Sequence, residues 1–195
     1  MFKFNTIPAI ALAVATTFGV MSTPTKANAE EVFLIRGAMN IFSAGMNQMT
    51  DHLRGRGVNA KSLSNGQWKG VARDIIKRNQ SGRVSFPIII AGHSVGGQEA
   101  PKFNDMLARA GIPVALVIGI DPGWAAPPPF TAGSTRVVNF WVGGTSRGNP
   151  YRSTGGFHGT IQNVDIRAFS NADHVQIDKD KGVQRRIIGL IMSSL

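Results

Sequence analysis

Three consecutive isoleucines, Ile88 to Ile90, lead into Ala91 and stop at Gly92. Such a run is too short for a helix and too unbroken for a strand with one wet face. It suits a central strand buried on both sides, which demands a covering layer above and below. From about Val95 to Ala110 the pattern becomes helical until Gly111 interrupts it, and Val114 to Ile120 is a second wholly apolar strand. Strand, helix, strand in this order predicts parallel pairing through a crossover, and so an α/β protein.

The rest of the chain repeats the alternation. Val32 to Ile35 reads as a first strand, Ile41 to Leu53 as a helix stopped by Gly55 and Gly57, and Val58 to Leu63 as an edge strand. Gln67 to Arg78 has helical spacing, Thr135 to Val142 and Ile161 to Phe169 read as strands, and Gly182 to Leu195 holds a last amphipathic helix. Pro101 should kink the helix that begins at Val95, because it removes one backbone hydrogen bond. Residues 122–129 and 143–160 read as long loops, and no internal repeat is visible.

The candidate chemistry sits at the junction of the isoleucine strand and its helix. Gly92-His93-Ser94-Val95-Gly96 is a G-x-S-x-G sequence. In a Gly-rich chain that pattern alone is weak, but here it falls directly between a buried strand and a helix, where a nucleophile elbow must be. Glycines let the chain cross the tight turn, and the helix amino terminus with the Val95 amide faces a reacting carbonyl oxygen. A plain strand-to-helix turn is the bland alternative.

A serine hydroxyl needs a base, and on such an elbow the acid and then the histidine follow the serine along the chain. That order sets aside His52 and His93. His174, in Asn171-Ala172-Asp173-His174 just before the terminal helix, is the expected base. His158, in a Gly-rich loop, reads as a loop or substrate-pocket residue. Asp121 closes the Val117-to-Ile120 run at a strand's carboxyl end and is the expected acid, although Asp-Pro is also a common turn. Asp165 lies within a strand, Asp173 adjoins the base, and Asp178 and Asp180 come after it. A second oxyanion donor should come from the loop Arg36-Gly37-Ala38-Met39-Asn40, from the amide of Ala38 or Met39. Trp124, Phe130 and Phe157, with Met39, are candidate walls for an acyl pocket and could equally be core residues.

The amino-terminal residues read as an export signal. Lys3 gives a positive start, Ile7 to Val20 is apolar and shorter than a membrane span, and Ala27-Asn28-Ala29 is a small-x-small cleavage pattern. The expected division is a signal peptide over 1–29 and one catalytic domain over 30–195, with an exported, periplasmic or extracellular bacterial location. Losing Lys3 and Lys26 lowers the net charge from +10 to +8. An exported basic protein is poorly matched to nucleic acid. It suits weak association with anionic envelope surfaces, or the charge simply maintains solubility. The chain has no cysteine, which excludes disulfides and thiol chemistry. The four histidines lack close ligand spacing, so neither a metal site nor a cofactor is expected.

The first strand with its Arg36-Gly37 loop, Gly92 to Gly97, Ile120-Asp121-Pro122 and the late His174 together resemble the α/β-hydrolase superfamily, over nearly all of residues 30–195. Gly92 to Gly97 is similar to the elbow of lipases and esterases, and Asp121 stands where some lipases carry the acid. The resemblance implies a minimal α/β-hydrolase fold: a mostly parallel central sheet, helices on both faces, no cap domain. It implies Ser94 as nucleophile, Asp121 as acid and His174 as base, acting on an acyl ester, thioester or lipid-like small molecule. Acyl transfer by the same triad and a non-catalytic envelope binding protein of this fold are the alternatives.

Overall fold

The computed structural model describes residues 30–38, 43–145 and 148–195, so the expected signal segment and Met39 lie outside the described residues. Six strands form one sheet: β1 (Glu31–Ile35), β2 (Ala60–Leu63), β3 (Ile88–His93), β4 (Leu116–Ile120), β5 (Arg136–Trp141) and β6 (Thr160–Asp165). Their order is β2-β1-β3-β4-β5-β6 and every pairing is parallel, a stricter arrangement than the mostly parallel sheet expected. The helices are α1 (Ala44–Arg54), α2 (Trp68–Asn79), α3 (Val95–Arg109) and α4 (Lys181–Met192).

Strand alternation divides the apolar residues between two cores. Val32, Leu34, Ile89, Ala91, Leu116 and Ile118 face α1 and α4, which contribute Met46, Met49, Leu53, Val183 and Ile187. Phe33, Ile35, Ile88, Ile90 and Val117 face α2 and α3, with Trp68, Ile75, Phe103 and Leu107. The isoleucine triplet therefore feeds both layers, as a strand buried on two faces requires. Fully burying a side chain of this size contributes about 1.5–3 kcal/mol, so β1, β3 and β4 make a stiff platform beneath the elbow.

Most element ends fall within two residues of expectation, some inward and some outward, while α1 starts at Ala44 rather than Ile41 and α4 ends at Met192. The last expected strand changed more: β6 ends at Asp165, whose carboxylate accepts from the Arg167 amide and turns the chain into a 3-10 turn over Ile166–Ala168. Arg167 also holds the Asp165 carboxyl down near about 2.

Pro101 does not end α3, which continues through it to Arg109. A residue with an N–H at 101 would donate to the carbonyl of Gly97, four residues earlier. Instead the Tyr151 hydroxyl donates to that carbonyl at 2.5 Å. Tyr151 is buried, and burial raises its pKa, so the phenol keeps its proton. A side chain from the long loop replaces the missing backbone donor, which accounts for a tolerated proline in mid-helix.

Candidate active site

The carboxyl ends of β3 and β4 carry the polar side chains that converge. Ser94 follows β3 at φ 54°, ψ −119°, and its amide donates to the Ile120 carbonyl at 3.0 Å. A non-glycine residue there stores roughly 1–3 kcal/mol of backbone strain. The surroundings hold it in place. A Cβ on Gly96 would lie 2.3 Å from the Ile35 carbonyl oxygen, so α3 starts directly against β1 and no side chain fits between them. Asp121 follows β4 at φ 45°, and Trp124 has φ 76°.

His174 lies between these two strand ends. Its Nε2 is 3.0 Å from Ser94 Oγ, and its Nδ1 is 2.7 Å from Asp121 Oδ2. Asp121 is wholly buried, and its other oxygen accepts from the Val142 amide at 2.8 Å. Both carboxyl oxygens are thus acceptors, which fixes the imidazole proton on Nδ1 and leaves Nε2 to accept from the Ser94 hydroxyl. Donation runs from the serine hydroxyl to the imidazole and from the imidazole to the carboxylate. The backbone turn that delivers Asp121 also comes very close to the ring: a Cβ on Gly123 would stand 2.5 Å from His174 Cε1. Gln98, one turn into α3, donates to the carbonyls of Gly123 and Ala125 and pins that turn.

Val95 is the first residue of α3, so its N–H has no partner within the helix and lies beside Ser94. On the facing loop, the Gly37 amide is engaged by Ser43 Oγ at 2.8 Å, which leaves Ala38 as the described candidate for a second donor. A Cβ on Gly37 would come within 3.1 Å of Ser94 Cβ, so this loop abuts the serine.

The expected acyl pocket needs correction. Trp124 stands two residues after Pro122 and is 75 % exposed, at the edge of the site. Phe130 is fully buried against Tyr151 and Phe157 in the α2/α3 core. Phe157 and His158 precede β6, near the cavity formed by Ala132 to Thr135, Gly156 and Gly159, at the amino ends of the strands. Both aromatic rings pack into the α2/α3 core on segments that lead back to the amino ends of β5 and β6.

The sequence assigns no role to three residues around the site: His93 and Asp178 are set aside there, and Ser43 is not singled out. Ser43 is the residue before α1, His93 the residue before Ser94, and Asp178 comes four after His174. The expected helix, Ile41 to Leu53, places Ser43 inside it, whereas α1 starts at Ala44 with Ser43 as its N-cap residue. His93 is buried, and desolvation drives its pKa down to about 4, so it is neutral. Burial raises Asp178 to about 6. Among the described residues, no group of three or more histidine or acidic side chains is placed to hold a metal ion.

No family model matches the chain, and no curated protein matches it in sequence. Solved structures do match in shape. The NocB thioesterase domain, in a covalent complex with a fluorophosphonate nocardicin G analog, aligns at TM-score 0.54 and 12% identity, over 85% of this chain and 94% of that one. The RedJ thioesterase of the prodiginine pathway in Streptomyces coelicolor aligns at TM-score 0.50 and 10% identity, over 87% of each chain. The surfactin thioesterase domain SrfTE aligns at TM-score 0.51 and 12% identity, over 84% and 90%. At these identities the likeness is one of fold. The chain has the α/β-hydrolase fold, in a compact form with a six-stranded parallel sheet.

Proposed function

We propose that this chain is a serine hydrolase that cleaves a carboxylic ester or thioester through an acyl-enzyme, and that it works outside the cytoplasm after export directed by residues 1–29. The observation that carries the reading is the directed hydrogen-bond chain Ser94–His174–Asp121, built on a strained turn at a strand's carboxyl end. Ser94 Oγ attacks the acyl carbon while His174 Nε2 takes its proton. Asp121 holds the imidazole in the required tautomer and stabilises its charged form. The Val95 and Ala38 amides receive the negative charge that develops on the carbonyl oxygen. His174 then protonates the leaving alcohol or thiol, and a water deprotonated by His174 releases the acid.

The exposed indole of Trp124, next to the turn that touches His174, offers an apolar rest for the acyl or alcohol part. The thioesterase domains among proteins of this fold support an acyl substrate class, and one of them is captured with a fluorophosphonate. The test is labelling of the purified protein by a fluorophosphonate probe. The wild type is expected to label, and Ser94→Ala and His174→Ala to lose the label. Folded wild-type protein that does not react would overturn the hydrolase reading and favour a binding role.

A further inference from the structure

Ser43 is the N-cap residue of α1, yet its side chain makes no capping bond to that helix. A serine there ordinarily accepts from an amide in the first turn, and losing that bond costs about 1 kcal/mol. The capping is done from a distance instead: Asp178 Oδ2 accepts from the Gly45 amide at 2.8 Å. The freed Ser43 hydroxyl sits at 0% exposure between the Gly37 amide, at 2.8 Å, and His93 Nδ1, also at 2.8 Å. On the far side of the ring, His93 Nε2 is 3.0 Å from the His174 carbonyl oxygen.

The two ends fix the direction of this chain. The Gly37 N–H can only donate and the His174 carbonyl can only accept. Ser43 Oγ therefore accepts from Gly37 and donates to His93 Nδ1, and His93 donates from Nε2 to His174. Only a neutral imidazole fits this pattern, and the burial of His93 keeps it neutral. The result is one buried relay from the loop that precedes Ala38 to the backbone of His174, passing beneath Ser94.

We propose that Ser43 and His93 are positioning residues that fix the distance between the oxyanion loop and the backbone carrying the base. The proposal rests on the hydrolase reading above. Neither side chain touches the reacting atoms. Their effect is to hold the Ala38 amide and the His174 imidazole in register with Ser94 Oγ. Misplacement by about 1 Å at a reacting centre costs up to 100-fold in rate.

The test compares wild type, Ser43→Ala, His93→Asn and the double variant, by hydrolysis of a soluble p-nitrophenyl ester, fluorophosphonate labelling rate and thermal melting. Ser43→Ala is expected to stay folded and to lower kcat about 10- to 100-fold with KM nearly unchanged, and to slow labelling in proportion. Because both residues act through one chain, the double variant should lose no more than the worse single variant. His93→Asn, which keeps an acceptor for Ser43 but cannot span to His174, decides the matter if Ser43→Ala does not fold. A labelled wild type with kcat unchanged in the folded variants, or losses that multiply in the double variant, would overturn the proposal alone. A wild type that neither labels nor hydrolyses would overturn the hydrolase reading and the proposal with it.

Discussion

The two ends of the sheet solve the same backbone problem differently. At the amino ends, the turns that enter β2, β3, β4 and β5 reach positive φ with Gly57, Gly82, Gly111 and Gly133. The first three of these glycines face open space. At the carboxyl ends of β3 and β4, positive φ falls on Ser94, Asp121 and Trp124. Among the described residues, Gly144, after β5, is the one glycine with positive φ on that side. Where the chain only has to turn, glycine takes the strained conformation at little steric cost. Where a side chain must stand at the turn, the strain is retained and the surrounding contacts hold it.

The largest test of this contrast is Ser94→Gly. Removing the Cβ relieves strain at φ 54°, so the melting temperature should rise by an amount equivalent to about 1 kcal/mol. Ester hydrolysis should fall by more than about 10⁴-fold. A variant that loses activity without gaining stability would show that the elbow is not strained. Next comes a pair of glycines. Gly96→Ala drives a Cβ into the Ile35 carbonyl and should destabilise by about 3 kcal/mol. Gly111→Ala meets no neighbour and should cost only the left-handed backbone penalty, about 1 kcal/mol. Equal losses in urea unfolding would erase the distinction between a packed end and an open end.

The smallest effect concerns pH. His93 is lowered from 6.5 to about 4, so the unfolded chain binds its proton more readily, and this contribution to stability disappears as the pH falls from about 6.5 to 4. Asp178 is raised from 3.8 to about 6, so here the folded chain binds the proton more readily, and its contribution is lost as the pH rises through about 6. The two slopes oppose one another over much of the same range. Asp178→Asn removes one of them, and its stability should fall more steeply than that of the wild type between pH 6.5 and 4. Parallel curves for the two proteins would refute this.

The strands were legible because unbroken apolar runs admit few structures, and β1, β3 and β4 are nearly pure runs. Ser94, Asp121 and His174 could be singled out because each follows a strand signal in a fixed order along the chain. The pocket walls were not legible in this way. Aromatic character says that Phe130 and Phe157 will be buried, but not against which layer, and both pack into the α2/α3 core from the connections that lead into β5 and β6. The relay was less legible still. Two of its three bonds join positions 50 and 81 apart, and the substitute cap on α1 spans 133. Nothing local in the sequence registers such a contact. Ser43 falls inside the expected helix, and only the fold shows it standing before α1 with Asp178 capping in its place.

The bond from Tyr151 to Gly97 makes two distant positions interdependent. With proline at 101, the phenol takes the place of an absent amide, and phenylalanine at 151 would strand a buried carbonyl under the elbow, at about 1–3 kcal/mol. With alanine at 101, the helix supplies its own donor and the hydroxyl becomes nearly dispensable. The order in which substitutions accumulate at these sites is therefore constrained. The proline can be relinquished first without harm, whereas the tyrosine can be lost safely only afterwards.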